Sequence, residues 1–258
     1  MNTYIKVKGF KYYTFGLRQE WVLSFIERGD KFLKENSLGP KQIEAFIYYL
    51  KDCELIDRNK NLTSLFNILR SIYLKDGPNS QILWGIIWTN LCFNSPLFTW
   101  WTTLNIGNYD RKYLIKRLAL SYGKENRSPK NGFCSIKETL SKSPIGEILG
   151  QGIAIKKGKI IEGFIKKGLK KIHPILVLYN LYKLAEKENR YEINLFLLED
   201  EPLSPQKIFA ISTTDLKRSL LENPKYEIFY KPSMEKRGLI FIDKSFNPLS
   251  LLESYIGG

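Results

Sequence analysis

The chain has 258 residues, 43% hydrophobic and 14% aromatic, with 40 basic against 26 acidic side chains and a formal net charge of +14. This length and apolar content exclude an intrinsically disordered chain and allow one large domain or two small ones around a sizeable core. Cys53, Cys92 and Cys134 lie far apart and His173 is the only histidine, which excludes a zinc site of the usual spacing, argues against a disulfide framework, and leads us to expect a reduced, cytoplasmic protein without a signal peptide.

The N-terminal third, 1–104, reads as helical. "RQEWVLSFIERGDKFLKE" (18–35) places Trp21, Val22, Phe25, Phe32 and Leu33 near one face, with Gly29 as a weak point. After "NSLGP", Ile43, Phe46, Ile47 and Leu50 recur at i, i+3, i+4 and i+7, an amphipathic helix. Helix, short turn and helix make a helix-turn-helix candidate, with Lys41, Gln42, Ala45, Tyr48 and Tyr49 on the side away from the core. An ordinary helical hairpin would read the same way. Another helix spans 62–74. "ILWGIIWTNLCF" (82–93) is apolar all round but too short to span a bilayer, so it is expected to be a central buried helix with its tryptophans in the core.

The middle, 105–172, carries 16 basic and 5 acidic residues, net +11, against net +4 for 1–104 and net −1 for 173–258. Lysine outnumbers arginine 30 to 10, as an AT-rich coding bias could produce, but such a bias would spread evenly. The concentration points to a polyanion, and nucleic acid is the commonest one. A helix over 109–122 would carry Arg111, Lys112, Lys116 and Arg117 on its polar face. "GKENRSPKNGF" reads as a loop offering Lys124, Arg127 and Lys130 to phosphates. A short helix follows, with Ser135 and Glu138 spaced as a capping box. "IAIKKGKIIEGFIKKG" reads as a β-hairpin turning near "KKGK". Seven lysines fall within 156–171, namely Lys156, Lys157, Lys159, Lys166, Lys167, Lys170 and Lys171, against one acid, Glu162. Protection of an edge strand would need fewer.

The last third, 173–258, orders as a helix from "HPILVLYNLYKLAEKEN", a short helix opening at Pro205, a third helix after Ser212, then two strands, "KYEIFYK" and "GLIFID". Three helices and a two-stranded wing is the winged-helix order, and such domains often bind DNA. This segment is nearly neutral, so a protein-contact module fits it equally well. The expected fold is therefore mainly α with small β elements (α+β): a helix-turn-helix N-terminal region, a central helical region with a basic β-hairpin, and a C-terminal winged-helix-like domain.

Four stretches, "TFGLRQEWV" (14–22), "ILWGIIWTNLCFNSPLFTWW" (82–101), "IKETLSKSPIGEILGQG" (136–152) and "HPILVLYNLYKLAE" (173–186), with "GLIFID" near the end, resemble a bacterial family associated with DNA phosphorothioation. That family is encoded beside sulfurtransferases of the PAPS-reductase-like type and includes the SspB-type DNA nickases. The resemblance spans nearly the whole chain. It implies nicking of one strand of double-stranded DNA, in phage defence, so that a PAPS-reductase-like sulfurtransferase and other system components can insert sulfur. It also makes Arg18 a matched position. A histidine and a glutamate precede "TFGLR" in the family pattern, where this chain has Tyr12 and Tyr13.

Metal-dependent cleavage would need two or three carboxylates around Mg²⁺ or Mn²⁺. The acids available for that are Glu138 and Glu147, bordering the basic region, and the run Glu199, Asp200 and Glu201, which also reads as a solvated loop. His173 precedes a proline at a helix start and fits a structural role. A non-catalytic DNA-binding scaffold and a winged-helix regulator stand as alternatives to a nickase. The DNA contacts expected are Arg18, Lys41 and the basic residues of the middle third.

Overall fold

The computed structural model describes residues 6–7, 11–122, 127–221, 228–232 and 238–257. The elements run α1 (Gln19–Arg28), α2 (Asp30–Lys34), α3 (Pro40–Asp52), α4 (Ser64–Asp76), α5 (Gln81–Asn94) and α6 (Pro96–Thr102). There follow β1 (Gly107–Asp110), α7 (Arg111–Tyr122), α8 (Arg127–Lys142), α9 (Pro144–Glu147), β2 (Ile153–Lys157) and β3 (Ile160–Lys166). The chain closes with α10 (Pro174–Glu188), β4 (Glu192–Asn194), α11 (Leu195–Leu198), α12 (Pro205–Phe209), α13 (Thr213–Leu221), β5 (Ile228–Lys231), β6 (Leu239–Ile242) and α14 (Pro248–Gly257). The protein is thus mostly helical with two small antiparallel sheets, β1-β3-β2 and β4-β6-β5.

The centre is α5. It has no polar face, and Ile82 through Cys92 are all buried. Ser80 caps it by accepting the Leu83 N–H at 3.2 Å. The indole N–H of Trp88 donates to Ile208 O, and that of Trp101 in α6 donates to Gln151 O. These tryptophans hold the N-terminal helices, the central layer and the C-terminal segment in one buried cluster. They have no face left for stacking on a base.

The N-terminal hairpin forms from the expected sequence signals. Pro40 starts α3, and Gln42 reaches back to the Gly39 N–H at 2.9 Å. One reading is corrected. Ala45 and Tyr49, assigned to the outward side of α3, are fully buried. Tyr49 stacks on Tyr12 with ring centroids 4.1 Å apart and donates to Phe15 O at 3.0 Å. The apolar stripe of α3 is wider than its aliphatic residues alone indicate, and with Gln42 bonded to the cap, this face is not free to enter a groove.

Two boundaries in the middle third also differ. Tyr109 and Asp110 belong to strand β1, so the helix begins at Arg111. The part of "GKENRSPKNGF" from Arg127 onward is helical and continues to Lys142 as α8, while Lys124 and the side chain of Arg127 lie outside the described residues. Pro129 is tolerated because it falls in the first turn, where its missing N–H has no intrahelical acceptor. Gly132 is used for close packing: a Cβ there would meet Leu118, Leu97 and the Tyr122 hydroxyl at 3.1–3.2 Å. Ser135 and Glu138 therefore sit inside a helix and form no capping box.

Candidate nucleic-acid interface

The central strands form one antiparallel sheet. Gly107–Asp110 pairs with Lys166–Gly163, and Ile153–Lys157 pairs with the other edge of β3, with an irregularity at Ile155/Lys156. Helices α7 and α8 pack against each other and against this sheet. The net +11 segment is therefore one layer. Its outer surface carries Arg111, Lys112 and Lys116 from α7, Lys130 from α8, and Lys156, Lys157 and Lys159 from the hairpin turn, all exposed. Arg117 is half-buried and donates to the Tyr113 hydroxyl at 2.7 Å. The Arg111 guanidinium lies 5.9 Å over the Phe133 ring. None of these side chains takes part in an ion pair formed among the described residues. Unpaired charge of one sign raises the energy of the free protein and is relieved by an anionic partner.

Lys166 requires a correction. It belongs to the same "KK" pair as Lys167, yet it is fully buried. Alternation along β3 puts Phe164 and Lys166 on the inner face and turns Lys167 outward. The Lys166 amine donates to the carbonyls of Trp101 at 3.1 Å, Thr102 at 3.5 Å and Leu104 at 2.8 Å. It thereby closes the C-terminal end of α6, where carbonyls lack intrahelical partners and a cation is favourable. Burial pushes its pKa down to about 7, with Lys207 acting in the same direction. Lys166 is part of the fold and no phosphate contact.

The next three lysines, Lys167, Lys170 and Lys171, are exposed. The backbone beneath them is fixed. Lys167 and Gly168 both donate to Gly150 O at 2.9 Å, and Leu169 donates to Phe209 O at 3.1 Å. Gly168 adopts φ +71, and a Cβ there would lie 2.1 Å from Ala210 O, so only glycine lets the strand lie this close. The lysine segment is thus pressed onto the α12 end.

Arg18 and Lys41 belong to the N-terminal third. The Arg18 guanidinium meets the Glu138 carboxylate at 3.2 Å and stacks 4.6 Å from the Trp21 ring centroid, with 19% of its side chain exposed. Lys41 is exposed, 5.9 Å from the Tyr13 ring. Glu138 also accepts the Gly16 N–H at 3.1 Å and the Lys142 ammonium at 2.8 Å. Burial opposes its ionisation, but Lys142, the Gly16 N–H and Arg18 outweigh burial and lower its pKa. The Arg18–Glu138 pair is a clasp between the N-terminal segment and α8, which gives both residues a structural use.

The remaining acids are scattered in use. Glu147 is exposed at the end of α9. Glu199 accepts from Thr213 at 3.2 Å, Asp200 is exposed, and Glu201 accepts the Leu203 N–H at 3.2 Å. Among the described residues no group of three or more His, Cys, Asp or Glu could hold a metal ion. His173 caps α10, its Nδ1 accepting the Ile175 N–H at 3.3 Å, in line with the structural role expected. The sequence reading missed Asp52. It is buried at the end of α3, accepts the Lys11 ammonium at 2.6 Å, and accepts the hydroxyl of Tyr12. Tyr12 is 2% exposed, while the Tyr13 hydroxyl donates to Glu44 at 2.7 Å. The only sequence signal for Asp52 was an acid at the end of an apolar helix.

In the last third, α10, β4, α11, α12, α13, β5 and β6 follow in winged-helix order, with β4 pairing β6 in register. The third strand β4 was not foreseen. On α13, Arg218 pairs with Asp215 at 3.4 Å and Lys217 lies 5.9 Å over the Tyr230 ring. Lys231 is exposed. Residues 233–237, which join β5 to β6, lie outside the described residues. Among the described residues no helix is long and apolar enough to cross a membrane.

No family model matches the chain, and no curated protein matches it. In three dimensions it is similar to the crystal structure of SspB, with a TM-score of 0.65 over 96% of this chain and 87% of that one, at 15% sequence identity. At that identity the likeness shows a shared fold and carries no residue-level chemistry.

Proposed function

We propose that this chain is a DNA-binding component of a phosphorothioation-type DNA modification and phage-defence system, holding double-stranded DNA on its central basic layer. The observation that carries the DNA contact is the cluster of exposed, unpaired cations on α7, α8, the β2–β3 turn and 167–171. The system context is supported by the SspB-like fold, which agrees with the family resemblance of the sequence. Duplex DNA suits this layer because phosphate contacts by lysine need charge and reach but no base readout.

Two roles follow on that layer. The first is loading: the protein holds DNA for a partner such as a PAPS-reductase-like sulfurtransferase, which does the chemistry. The use of Glu138 in the Arg18 clasp favours it. The second is strand nicking by this chain itself, which rests on the SspB-like fold.

Incubation of supercoiled plasmid with the protein, in Mg²⁺ or Mn²⁺ and in chelator, followed by stripping of the protein before electrophoresis, separates the two. Retarded plasmid before stripping and intact supercoils after it support loading. Open circles support nicking, with metal dependence read from the chelator lanes. Plasmid that is neither retarded nor nicked at low salt overturns the DNA-binding reading.

A further inference from the structure

An open cleft of about 460 Å³ lies where the central layer meets the C-terminal segment. One wall is the stretch leading into β1, with Asn105 and Ile106. The other is formed by α12 and the start of α13, with Gln206, Lys207 and Ile211, and Glu199 also faces the cleft. Two features set it apart from a packing gap. Gln206 is only 8% exposed, yet neither its amide nitrogen nor its amide oxygen has a partner. A buried amide without partners is unfavourable, and a ligand that satisfied both atoms would relieve it. Ile106, by contrast, is 61% exposed, a large apolar side chain at the mouth of a polar site.

The chemistry of the walls selects a ligand class. Glu199 and Lys207 both line the cleft and their charges balance, so it does not favour a phosphate. An unpaired amide offers one donor and one acceptor side by side, which is the pattern that matches a nucleobase edge. Glu199 offers an acceptor for an exocyclic amine, and Ile106 and Ile211 offer apolar surface to a flat ring. The lysine segment reaches this place directly: Leu169 bonds to Phe209 O, and Gly168 lies against Ala210, which also lines the cleft.

We infer that the cleft receives a single nucleobase whose Watson–Crick edge sets an exocyclic amine beside a ring-nitrogen acceptor, adenine or cytosine, while the phosphates of the same strand lie on Lys167, Lys170 and Lys171. This deepens the DNA-binding reading and rests on it for the source of the base. Extrusion of a base from a duplex is unfavourable and is easiest at an unpaired or single-stranded position. A free nucleoside would satisfy the same walls, so the test separates the two sources.

Single strands of oligo(dA), oligo(dC) and oligo(dT) of equal length carry equal phosphate charge, so differences among them report the base alone. Wild-type protein is expected to bind oligo(dA) and oligo(dC) about tenfold more tightly than oligo(dT). Gln206→Leu should erase that preference. Ile106→Asp, at an exposed position that tolerates change, should erase it as well and covers the case in which Gln206→Leu fails to fold. Lys167, Lys170 and Lys171 changed together to Glu should weaken all three strands alike and leave the ratio intact. Deoxyadenosine, deoxycytidine and thymidine, followed by saturation-transfer NMR, probe the cleft without phosphate. Nucleoside binding lost in Gln206→Leu, with no strand bound at all, would keep the base cleft and remove DNA as its source. Equal binding of all three strands, with no nucleoside signal sensitive to Gln206 or Ile106, overturns the inference even where duplex binding stands.

Discussion

The central layer and the C-terminal segment present lysines to solvent in opposite ways. In the central layer Arg111, Lys112, Lys116, Lys130, Lys156, Lys157 and Lys159 are exposed and form no ion pair among the described residues, whereas on α13 Arg218 is paired with Asp215 and Lys217 leans on Tyr230. The winged-helix order alone would direct attention to α13 as a DNA reader. The charge arrangement directs it to the other layer instead. A motif locates an element, and the pairing state of its side chains decides whether that element is free to bind.

The sharpest way to break this comparison is to confuse a structural lysine with a contact lysine. Lys166→Glu would put a carboxylate against three backbone carbonyls in a fully buried place. It is expected to lower stability by roughly 4 kcal/mol or more, seen as loss of the cooperative thermal transition. Lys167→Glu, one residue away and exposed, should leave the transition in place. Equal melting of the two variants would contradict the inward assignment.

A smaller loss is expected at the clasp that joins the N-terminal segment to α8. Glu138→Gln removes a charged acceptor shared by Gly16, Arg18 and Lys142 and should cost about 1.5–3 kcal/mol by denaturant titration. Because the folded pKa of Glu138 is lowered, its contribution is present above the unfolded carboxyl pKa and is lost as pH falls through the folded value. The wild-type advantage over the variant should therefore shrink in acid. If the variant instead abolishes plasmid nicking at unchanged stability, Glu138 is a reactive group and the clasp account is wrong.

The Lys166 amine gives a pH dependence of the same sign in a more alkaline window. Its pKa is lowered to about 7 from 10.5, so between those values the unfolded chain binds the proton and the folded one does not. Stability rises with pH across that window and the contribution is least below pH 7. Melting temperature compared at pH 6.5 and 9 should increase in the wild type by a few degrees more than in Lys166→Met. A Lys166→Met profile that tracks the wild type would show that the buried amine stays protonated throughout.

Much of the fold was legible because its signals are local. The apolar run of α5, the Pro40 and Pro205 helix starts, the Ser212 start of α13 and the "KKGK" hairpin turn each follow from one stretch of chain. What was not legible depended on partners distant in sequence. Nothing in "FIKKG" tells which lysine faces Trp101, since that requires the register of β3 against β1. Pro129 and Gly132 look like loop residues until α7 is seen lying close against Gly132. Glu138 looked like a cap because its true partners are Gly16 and Arg18, about 120 residues earlier. Asp52 and Gln206 carried no sequence signal that set them apart from other polar residues on apolar helices.

The central claim is that duplex phosphates rest on the central layer and not on the winged-helix-like segment. Its most direct test is the duplex affinity of two triple charge reversals at moderate salt. One changes Lys167, Lys170 and Lys171 to Glu; the other changes Lys217, Arg218 and Lys231 to Glu. Both variants would be matched to the wild type by thermal melting. The account predicts a loss on the order of a hundredfold to a thousandfold for the first, with the slope of log K against log salt falling by at least about 2.7, and only a few-fold loss for the second. Equal losses, or the larger loss in the second variant, would place the DNA on the winged-helix-like segment and contradict it.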